Sequence, residues 1–228
     1  MFDRIAHRYD LLNRVLSLRR DVYWRNAVAN YLPEHRDLTI LDVATGTADL
    51  LISLVNKCDR IKSAVGMDMS PRMLELGQKK ISSGKYKEII RLVRSDALWI
   101  PFTSSSFDAV TIAFGIRNVT DVSGALGEMS RVLKPGGKIL ILEFSLPRNR
   151  FLRKIYPFHL KGILPRMGSI ISGDPYAYHY LNETVQTFPH GEQFCLLLEI
   201  AGFNSVKAVP LTGGIVTIYH ACKAGADS

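Results

Sequence analysis

Apolar segments of the chain alternate with segments whose apolar residues recur at helical spacing. Continuous apolar runs are typical of strands buried in a parallel sheet, and the helical repeats predict the connecting helices. The predicted strands are Thr39–Val43, Ser63–Asp68, Ile89–Ser95, Asp108–Phe114 and Lys138–Phe144, and the helices between them are Ala48–Asn56, Pro71–Ser82 and Val122–Val132. This alternation is typical of a Rossmann-like α/β fold with helices on both faces of the sheet.

The C-terminal part of the chain has a different pattern. A predicted helix, Glu192–Ala201, is followed by two strand patterns, Val206–Pro210 and Gly214–Cys222. The short glycine-containing segment Leu211–Gly214 joins these strands, so we expect an antiparallel ending. The sequence therefore predicts a seven-stranded sheet whose last strand is antiparallel.

The length of the chain, 228 residues, predicts one domain that buries a full core. Residues 1–30 are expected to form a helical cap that precedes the sheet. Residues 147–190 form a long insertion between the fifth strand and the last helix, and such insertions are often lids or binding segments. We therefore treat residues 1–228 as a single domain with a cap and a lid.

A glycine-containing turn follows the first predicted strand. Gly46 lies in this turn, and Asp68 ends the second strand 22 residues later. Glycine lets backbone approach a ligand closely because it has no Cβ, and an acid at this rim of a parallel sheet can accept hydrogen bonds from ribose hydroxyls. The pattern predicts a nucleoside cofactor site, with an ordinary strand-turn-helix that binds no ligand as the alternative.

The residues after Gly46 indicate which nucleoside is bound. A dinucleotide site requires three spaced glycines, but Thr47 and Ala48 follow Gly46 here. Asp49 would also place negative charge where a pyrophosphate should lie. That charge favours a cationic ligand such as S-adenosylmethionine, which has a sulfonium and an ammonium group.

Two further strand ends offer candidate side chains at the same rim. Asp96 and Ala97 follow the third strand, where the carboxylate can accept from an adenine amino group and the next N–H can donate to the ring. The alternative for Asp96 is a simple turn residue. Arg117 and Asn118 follow the fourth strand, where they can stabilise a developing phenolate and orient a hydroxyl. The alternative for Arg117 is a structural link to Asp121 or Asp108.

Composition restricts the remaining chemistry. The three cysteines and six histidines show no metal-ligand spacing, so no metal is predicted, and the odd cysteine number fits a reducing cytoplasm. No apolar run is long enough to span a bilayer and no signal peptide pattern opens the chain, which predicts a cytoplasmic protein. The net charge of +8 permits contact with nucleic acid or anionic lipid.

Positive charge is concentrated in the insertion. Six basic residues lie among large apolar side chains, and no acid occurs from Pro147 to Ser172. The basic residues are Arg148, Arg150, Arg153, Lys154, Lys161 and Arg166. This composition predicts peripheral contact with an anionic membrane surface, and the alternative is a solvated helix face over the core. No nucleic-acid motif is present, so we expect no nucleic-acid partner.

Several motifs together resemble the menaquinone/ubiquinone biosynthesis C-methyltransferases. The resemblance extends over nearly the whole chain, and the loop Phe114–Asp121 is its most specific part. The other motifs are Met1–Ala6, Tyr9–Asn13, Asp42–Asp49, Leu133–Gly137, Glu143–Ser145, Tyr178–Leu181, Phe188–Pro189 and Leu211–Gly214. Ala48 departs from the pattern, because many members of the family have glycine at this position.

The resemblance implies a class I S-adenosylmethionine-dependent methyltransferase fold and methylation of one carbon on a polyprenylated quinol ring, demethylmenaquinol to menaquinol. It implies that Thr47, Asp68, Asp96 and Ala97 bind the cofactor, with a contact near Ala113. The ring could instead be the 2-methoxy-6-polyprenyl-1,4-benzoquinol of ubiquinone biosynthesis. The resemblance leaves a homodimer open. The alternative functions are those of a nucleic-acid methyltransferase and of a non-catalytic cofactor sensor.

Overall fold

Alternate residues of the first strand, Leu38–Val43, face two different hydrophobic layers. The computed structural model describes Arg14, residues 17–147 and residues 183–225. Within this part of the chain, Leu38 and Ile40 point into one buried cluster, while Leu41 and Val43 point into another. A strand that is buried on both faces must be apolar throughout, which explains the continuous apolar run in the sequence.

Seven strands of the described chain form one sheet in the order β3-β2-β1-β4-β5-β7-β6. Strands β1 to β5 pair in parallel, and β7 pairs antiparallel with both β5 and β6. The predicted antiparallel last strand is therefore confirmed. The strands are β1 Leu38–Val43, β2 Ile61–Asp68, β3 Ile90–Arg94, β4 Phe107–Ala113, β5 Leu133–Phe144, β6 Phe203–Leu211 and β7 Val216–Lys223.

Helices cover both faces of this sheet. Buried residues of α1 and α2 belong to one hydrophobic cluster, and those of α5 and α6 belong to the other. The helices are α1 Arg20–Val28, α2 Asp49–Lys57, α3 Pro71–Ile81, α4 Lys85–Ile89, α5 Val122–Val132 and α6 Glu192–Ile200. Short 3₁₀ turns occupy Ala29–Tyr31, Ile116–Asn118 and Thr212–Gly214. The four longer helices predicted between and after the strands are confirmed, whereas α4 was not predicted.

The predicted start of helix α3 at Pro71 agrees with the structure, whereas the predicted start of β5 does not. Ser70 caps α3 by accepting the Met73 N–H at 3.2 Å, and Pro71 follows at the first helical position. Strand β5 begins at Leu133 rather than at the predicted Lys138. Leu133 pairs with Phe107, and the register shifts before Lys138. Gly136, in the Leu133–Gly137 motif, has a φ of +73° at this irregular start of β5.

The cap and the insertion are described only in part. Helix α1 lies in the predicted cap, and residues 183–190 lie in the predicted insertion. Residues 148–182, which include all six basic positions of the insertion, lie outside the described residues. In the described ranges, no helix combines the length and the apolar character required to cross a bilayer.

Candidate active site

Three residues of the turn after β1 have left-handed backbone conformations. The φ values of Ala44, Gly46 and Ala48 are 51°, 57° and 65°. A Cβ on Gly46 would have no heavy atom within 4 Å, so the glycine faces open space. The left-handed φ of Ala48 gives a physical reason why many family members have glycine there, since the conformation costs an L-residue about 1–2 kcal/mol.

Asp68, at the end of β2, is bonded to this turn. Its Oδ2 accepts the Gly46 N–H at 2.8 Å, and its Oδ1 accepts the Ser70 N–H at 2.8 Å. The Thr45 N–H donates to the Met67 carbonyl at 2.9 Å, which brings the two strand ends together. The structure therefore places the predicted pair of Gly46 and Asp68 side by side.

Thr47 and Asp49 contact a lysine that the sequence argument missed. Lys80, on α3, donates from Nζ to Thr47 Oγ1 at 2.7 Å and to Asp49 Oδ1 at 2.5 Å. Lys80 therefore balances part of the negative charge that the sequence argument assigned to a cationic ligand. Lysine and aspartate lie 31 residues apart, and no local pattern indicates their pairing.

Asp42 is a buried carboxyl behind the turn. It is 1% exposed and accepts from Thr111 Oγ1 and Thr45 Oγ1, both at 2.6 Å. Burial raises the pKa of Asp42 to about 7, and the negative charge of Asp68 adds to the increase. The hydrogen bonds from the two threonines have the opposite effect and lower the pKa. At neutral pH, Asp42 therefore holds a proton in a substantial fraction of molecules.

The end of β3 also reaches Asp68. The Ser95 N–H donates to the Asp68 carbonyl at 3.1 Å, which brings Asp96 and Ala97 to the rim. Asp96 Oδ1 accepts the Leu98 N–H at 3.0 Å, a turn bond, and the cofactor contact predicted for this carboxylate stays a prediction. The exposed side chains of Met69 and Trp99 follow these two strand ends.

Arg117, in the 3₁₀ turn after β4, forms a buried ion pair. Its Nη1 donates to Glu143 Oε1 at 2.7 Å and to the Phe114 carbonyl at 2.8 Å. The side chains of Arg117 and Glu143 are 8% and 1% exposed. Neither acid named in the structural alternative for Arg117 is its partner, because Asp121 caps α5, Asp108 pairs with Lys134, and Arg117 pairs with Glu143 instead.

Three polar atoms of this loop region are buried and have no hydrogen-bond partner among the described residues. They are Arg117 Nε, Asn118 Oδ1 and Glu143 Oε2. Burial raises the pKa of the Glu143 carboxyl, and the Arg117 charge opposes the increase. Asn118 Nδ2 makes a long bond of 3.4 Å to the Phe114 carbonyl. Phe114 itself has a φ of 56°, so the backbone at this loop is strained.

The Arg117 loop lies directly against the glycine turn. A Cβ on Gly115 would be 2.7 Å from the Cβ of Ala44. Ala113, a predicted cofactor contact, ends β4 and is partly buried beside the same rim. The aromatic rings of Phe114 and Phe144 lie 4.6 Å apart, and Trp24 of α1 packs against both. Helix α1 therefore covers the strand ends that hold Arg117 and the turn.

A cavity of about 430 Å³ opens beside Arg117. Its walls come from the Arg117 loop, the first turn of α5, the segment 184–189 and α6. The lining residues are Arg117, Val119, Thr120, Asp121, Val122, Ser123, Thr184, Thr187, Phe188, Pro189 and Leu197. No cluster of histidine, cysteine and acidic residues suited to a metal ion occurs within the described ranges.

The comparisons with known proteins agree with this geometry. The model of the ubiE/COQ5 methyltransferase family matches residues 1–223. The chain belongs to this family. The resemblance predicted from the sequence is thereby confirmed, and the protein is a methyltransferase of the ubiE/COQ5 family.

Relatives from two bacteria match over nearly their whole length. The "Ubiquinone/menaquinone biosynthesis C-methyltransferase UbiE" of Geotalea daltonii is 43% identical, with 96% of this chain and 93% of the relative covered. The "Demethylmenaquinone methyltransferase" of Thermus thermophilus is 42% identical, with 96% and 98% covered. A crystal structure of a SAM-dependent methyltransferase from Aquifex aeolicus superposes with a TM-score of 0.62 at 20% identity, covering 87% of this chain and 88% of that one. That likeness confirms the fold.

Within this ubiE/COQ5 family member, the structure brings the predicted site residues to one rim of the sheet. Gly46, Thr47, Asp68, Asp96 and Ala97 surround the ends of β1, β2 and β3. Arg117, Asn118 and Ala113 follow β4 next to the same turn. Sequence reasoning missed Lys80, Asp42 and Glu143 as members of the site. Glu143 had one signal, namely its place in the Glu143–Ser145 motif at the end of a predicted strand.

Proposed function

We propose that this chain transfers a methyl group from S-adenosylmethionine to a ring carbon of a polyprenylated quinol, converting demethylmenaquinol to menaquinol. The names of the relatives support this proposal, because they refer to ubiquinone/menaquinone biosynthesis C-methylation and to demethylmenaquinone methylation. The alternative substrate is the benzoquinol ring of ubiquinone biosynthesis. Family membership supports the reaction class for both.

The observation that carries the proposal is the contact between the Arg117 loop and the glycine turn. A Cβ on Gly115 would touch Ala44, so the cofactor turn and the Arg117 loop are adjacent. Arg117 also lines the 430 Å³ cavity, which is a size suited to a ring-sized ligand. This arrangement supports a methyl donor on the turn and an acceptor ring in the cavity.

The residues at the rim fit S-adenosylmethionine. Gly46 faces open space, where the donor can approach the backbone without a side chain in between. Asp68 is oriented at the rim by two backbone N–H groups, a position from which its carboxylate would hold the ribose hydroxyls. Met69 and Trp99 present exposed apolar surface to a flat base next to Asp96 and Ala97.

The mechanism we propose uses Arg117 as a charge stabiliser. S-adenosylmethionine, when bound, supplies a methyl group on a sulfonium sulfur. The quinol ring becomes a better carbon nucleophile as its hydroxyl loses a proton, and Arg117 would stabilise the negative charge on that oxygen. Asn118 would orient the same hydroxyl. Over the whole reaction a ring hydrogen is replaced by methyl and one proton is released.

The aromatic cluster beside the turn would exclude water from the reacting atoms. Trp24 is 4% exposed, and its Nε1 donates to Thr212 Oγ1 at 2.8 Å, which links α1 to the turn before β7. Phe114 and Phe144 pack under this tryptophan. Exclusion of water strengthens the interaction between Arg117 and the ring oxygen, because charges attract more strongly in a low-dielectric site.

Quinone profiling by mass spectrometry tests the proposed substrate. A bacterial host that lacks its own enzyme of this family and accumulates both demethylated quinones receives the gene for this chain. We expect menaquinone to be restored. Restoration of ubiquinone alone would assign the benzoquinol, and accumulation of both demethylated precursors despite soluble protein would contradict quinol methylation.

We also propose that the insertion brings the enzyme to the membrane in which a polyprenylated substrate dissolves. The proposal is supported by the sequence of Arg148–Arg166, which has six basic residues and no acid. Co-sedimentation with liposomes should require anionic lipid and should weaken as salt is raised. Equal binding to neutral and anionic vesicles would contradict the electrostatic part of this proposal.

A further inference from the structure

The ion pair between Arg117 and Glu143 uses one nitrogen of the guanidinium, Nη1, and one oxygen of the carboxylate, Oε1. Both hydrogen bonds that the guanidinium makes to described residues come from Nη1, and Glu143 Oε1 accepts from Arg117 Nη1 and from the Phe144 N–H, each at 2.7 Å. An arginine and a carboxylate usually pair through two parallel bonds. Here Arg117 Nε and Glu143 Oε2 have no partner in the described part of the chain.

Such a pair adds little to the stability of the fold. A buried polar atom without a partner destabilises the folded state, and buried ion pairs often stabilise a protein no more than apolar residues of the same volume would. Unsatisfied buried groups in a native protein call for an explanation, and a catalytic role is one of the explanations known. The burial of Glu143 beside a cavity-lining arginine makes such a role testable.

The position of Arg117 is fixed from two sides. Its guanidinium carbon lies 5.3 Å from the centroid of the Phe144 ring, and Glu143 Oε1 holds Nη1. Arg117 lines the cavity, whereas Glu143 does not. Glu143 can thus act on a ligand in the cavity only through Arg117.

We propose that Glu143 is a positioning residue for methyl transfer, because its buried carboxylate anchors one corner of the Arg117 guanidinium and leaves the rest of it available to the substrate oxygen. This inference rests on the proposed function. It deepens that function by assigning a role to a carboxyl that does not contact the substrate. The anchor requires an ionised Glu143, since a neutral carboxyl attracts Nη1 less strongly.

Among the described residues, Arg117 and Tyr219 of β7 are the titratable groups that interact electrostatically with Glu143. Arg117 stabilises the ionised carboxylate. Burial raises the pKa of Tyr219, so this phenol stays neutral over the working range. We therefore assign a loss of turnover at acidic pH to protonation of Glu143 if the loss depends on the residue at position 143.

Glu143→Gln tests the proposal in the purified full-length enzyme. Glutamine keeps the shape and an acceptor for Nη1 but removes the charge. We expect kcat for quinol methylation to fall about 10²-fold, the size of effect that a small misplacement of a catalytic group produces, with little change in KM or in S-adenosylmethionine affinity. The acidic limb of the kcat–pH profile should also disappear in this variant.

Ser145→Ala is the matched control. Ser145 is buried just beyond the same strand and bonds to the Gly214 carbonyl at 2.7 Å and to Thr217 Oγ1 at 2.8 Å, away from Arg117. We expect this variant to lower the melting temperature while keeping kcat within threefold of the parent. If Glu143→Gln does not fold, Glu143→Asp replaces it, because the shorter side chain keeps the charge but loses the reach to Nη1.

Three outcomes overturn the proposal. A folded Glu143→Gln that keeps the parental kcat overturns the positioning role alone. So does a loss of kcat matched by Ser145→Ala at equal loss of stability, since that loss would be structural. A parental enzyme that binds S-adenosylmethionine and methylates neither quinol overturns the proposed function, and the positioning role with it. A selective, pH-linked loss of kcat in the position 143 variants supports it.

Discussion

Asp68 and Gly46 lie 22 residues apart and are joined by a 2.8 Å hydrogen bond from the glycine N–H to the aspartate Oδ2. The bond links the acid at the end of β2 to the left-handed turn after β1. Loss of the carboxylate would therefore change the shape of the turn and remove the contact that we propose with the cofactor.

We predict that Asp68→Ala weakens S-adenosylmethionine binding by about 1.5–3 kcal/mol, the value of a hydrogen bond to a charged group. Calorimetric titration measures the effect, and NAD serves as a second ligand that should not bind. Asp59→Ala is the control, because Asp59 is an exposed acid before β2. Equal affinities for the two variants would remove Asp68 from the site.

Lys80→Met should reduce the free energy of unfolding by about 1 kcal/mol, the net value of a typical hydrogen bond. The lysine joins α3 to the turn through Thr47 and Asp49, and both charged partners are partly exposed, which limits the loss. Chemical denaturation compares it with Lys79→Met, an exposed neighbour. Identical stabilities of the two variants would contradict a linking role for Lys80.

Much of the fold, and half of the site, could be predicted from the sequence. Continuous apolar runs indicated each parallel strand, and the spacing of Gly46 and Asp68 indicated that these residues meet at one rim of the sheet. The pairings of Lys80 with Asp49 and of Glu143 with Arg117 could not be found in this way, because a lysine on a helix and an acid within a strand match no motif that specifies a partner. Such pairings depend on how helices and strands pack in three dimensions. The alternative partners for Arg117 failed for the same reason.

Asp42 should make stability depend on pH. Its pKa is raised from 3.8 to about 7 in the folded state, so the native protein holds more protons than the unfolded chain between these values. The free energy of unfolding therefore falls as pH rises through this window, by as much as about 4 kcal/mol from this group. Above pH 7 the contribution is constant.

Asp42→Asn removes this titration and keeps groups that can bond to Thr45 and Thr111. We expect the variant to gain stability relative to the parent as pH rises from about 4 to 7, and to stay more stable at pH 8. Urea denaturation of both proteins across this range gives the comparison. Parallel stability curves would show that Asp42 does not titrate in this way.

Arg117→Ala should lower quinol methylation about 10²–10³-fold, the cost of removing one preorganised donor, with little change in S-adenosylmethionine affinity. Arg117→Lys should restore only part of the rate, because an ammonium cannot reproduce the planar guanidinium. Breaking the pair with Glu143 also lowers stability. Turnover per folded site is therefore the deciding quantity, and a parental value in Arg117→Ala would exclude Arg117 from catalysis.

Transfer of a labelled methyl group by the purified enzyme tests the central claim most directly. The protein is incubated with methyl-labelled S-adenosylmethionine and either demethylmenaquinol or the benzoquinol, and the products are identified by mass spectrometry. The account predicts one labelled methyl on a ring carbon of demethylmenaquinol, and a strongly reduced yield with Arg117→Ala. Label on an oxygen, or no transfer to either quinol by protein that binds S-adenosylmethionine, would contradict it.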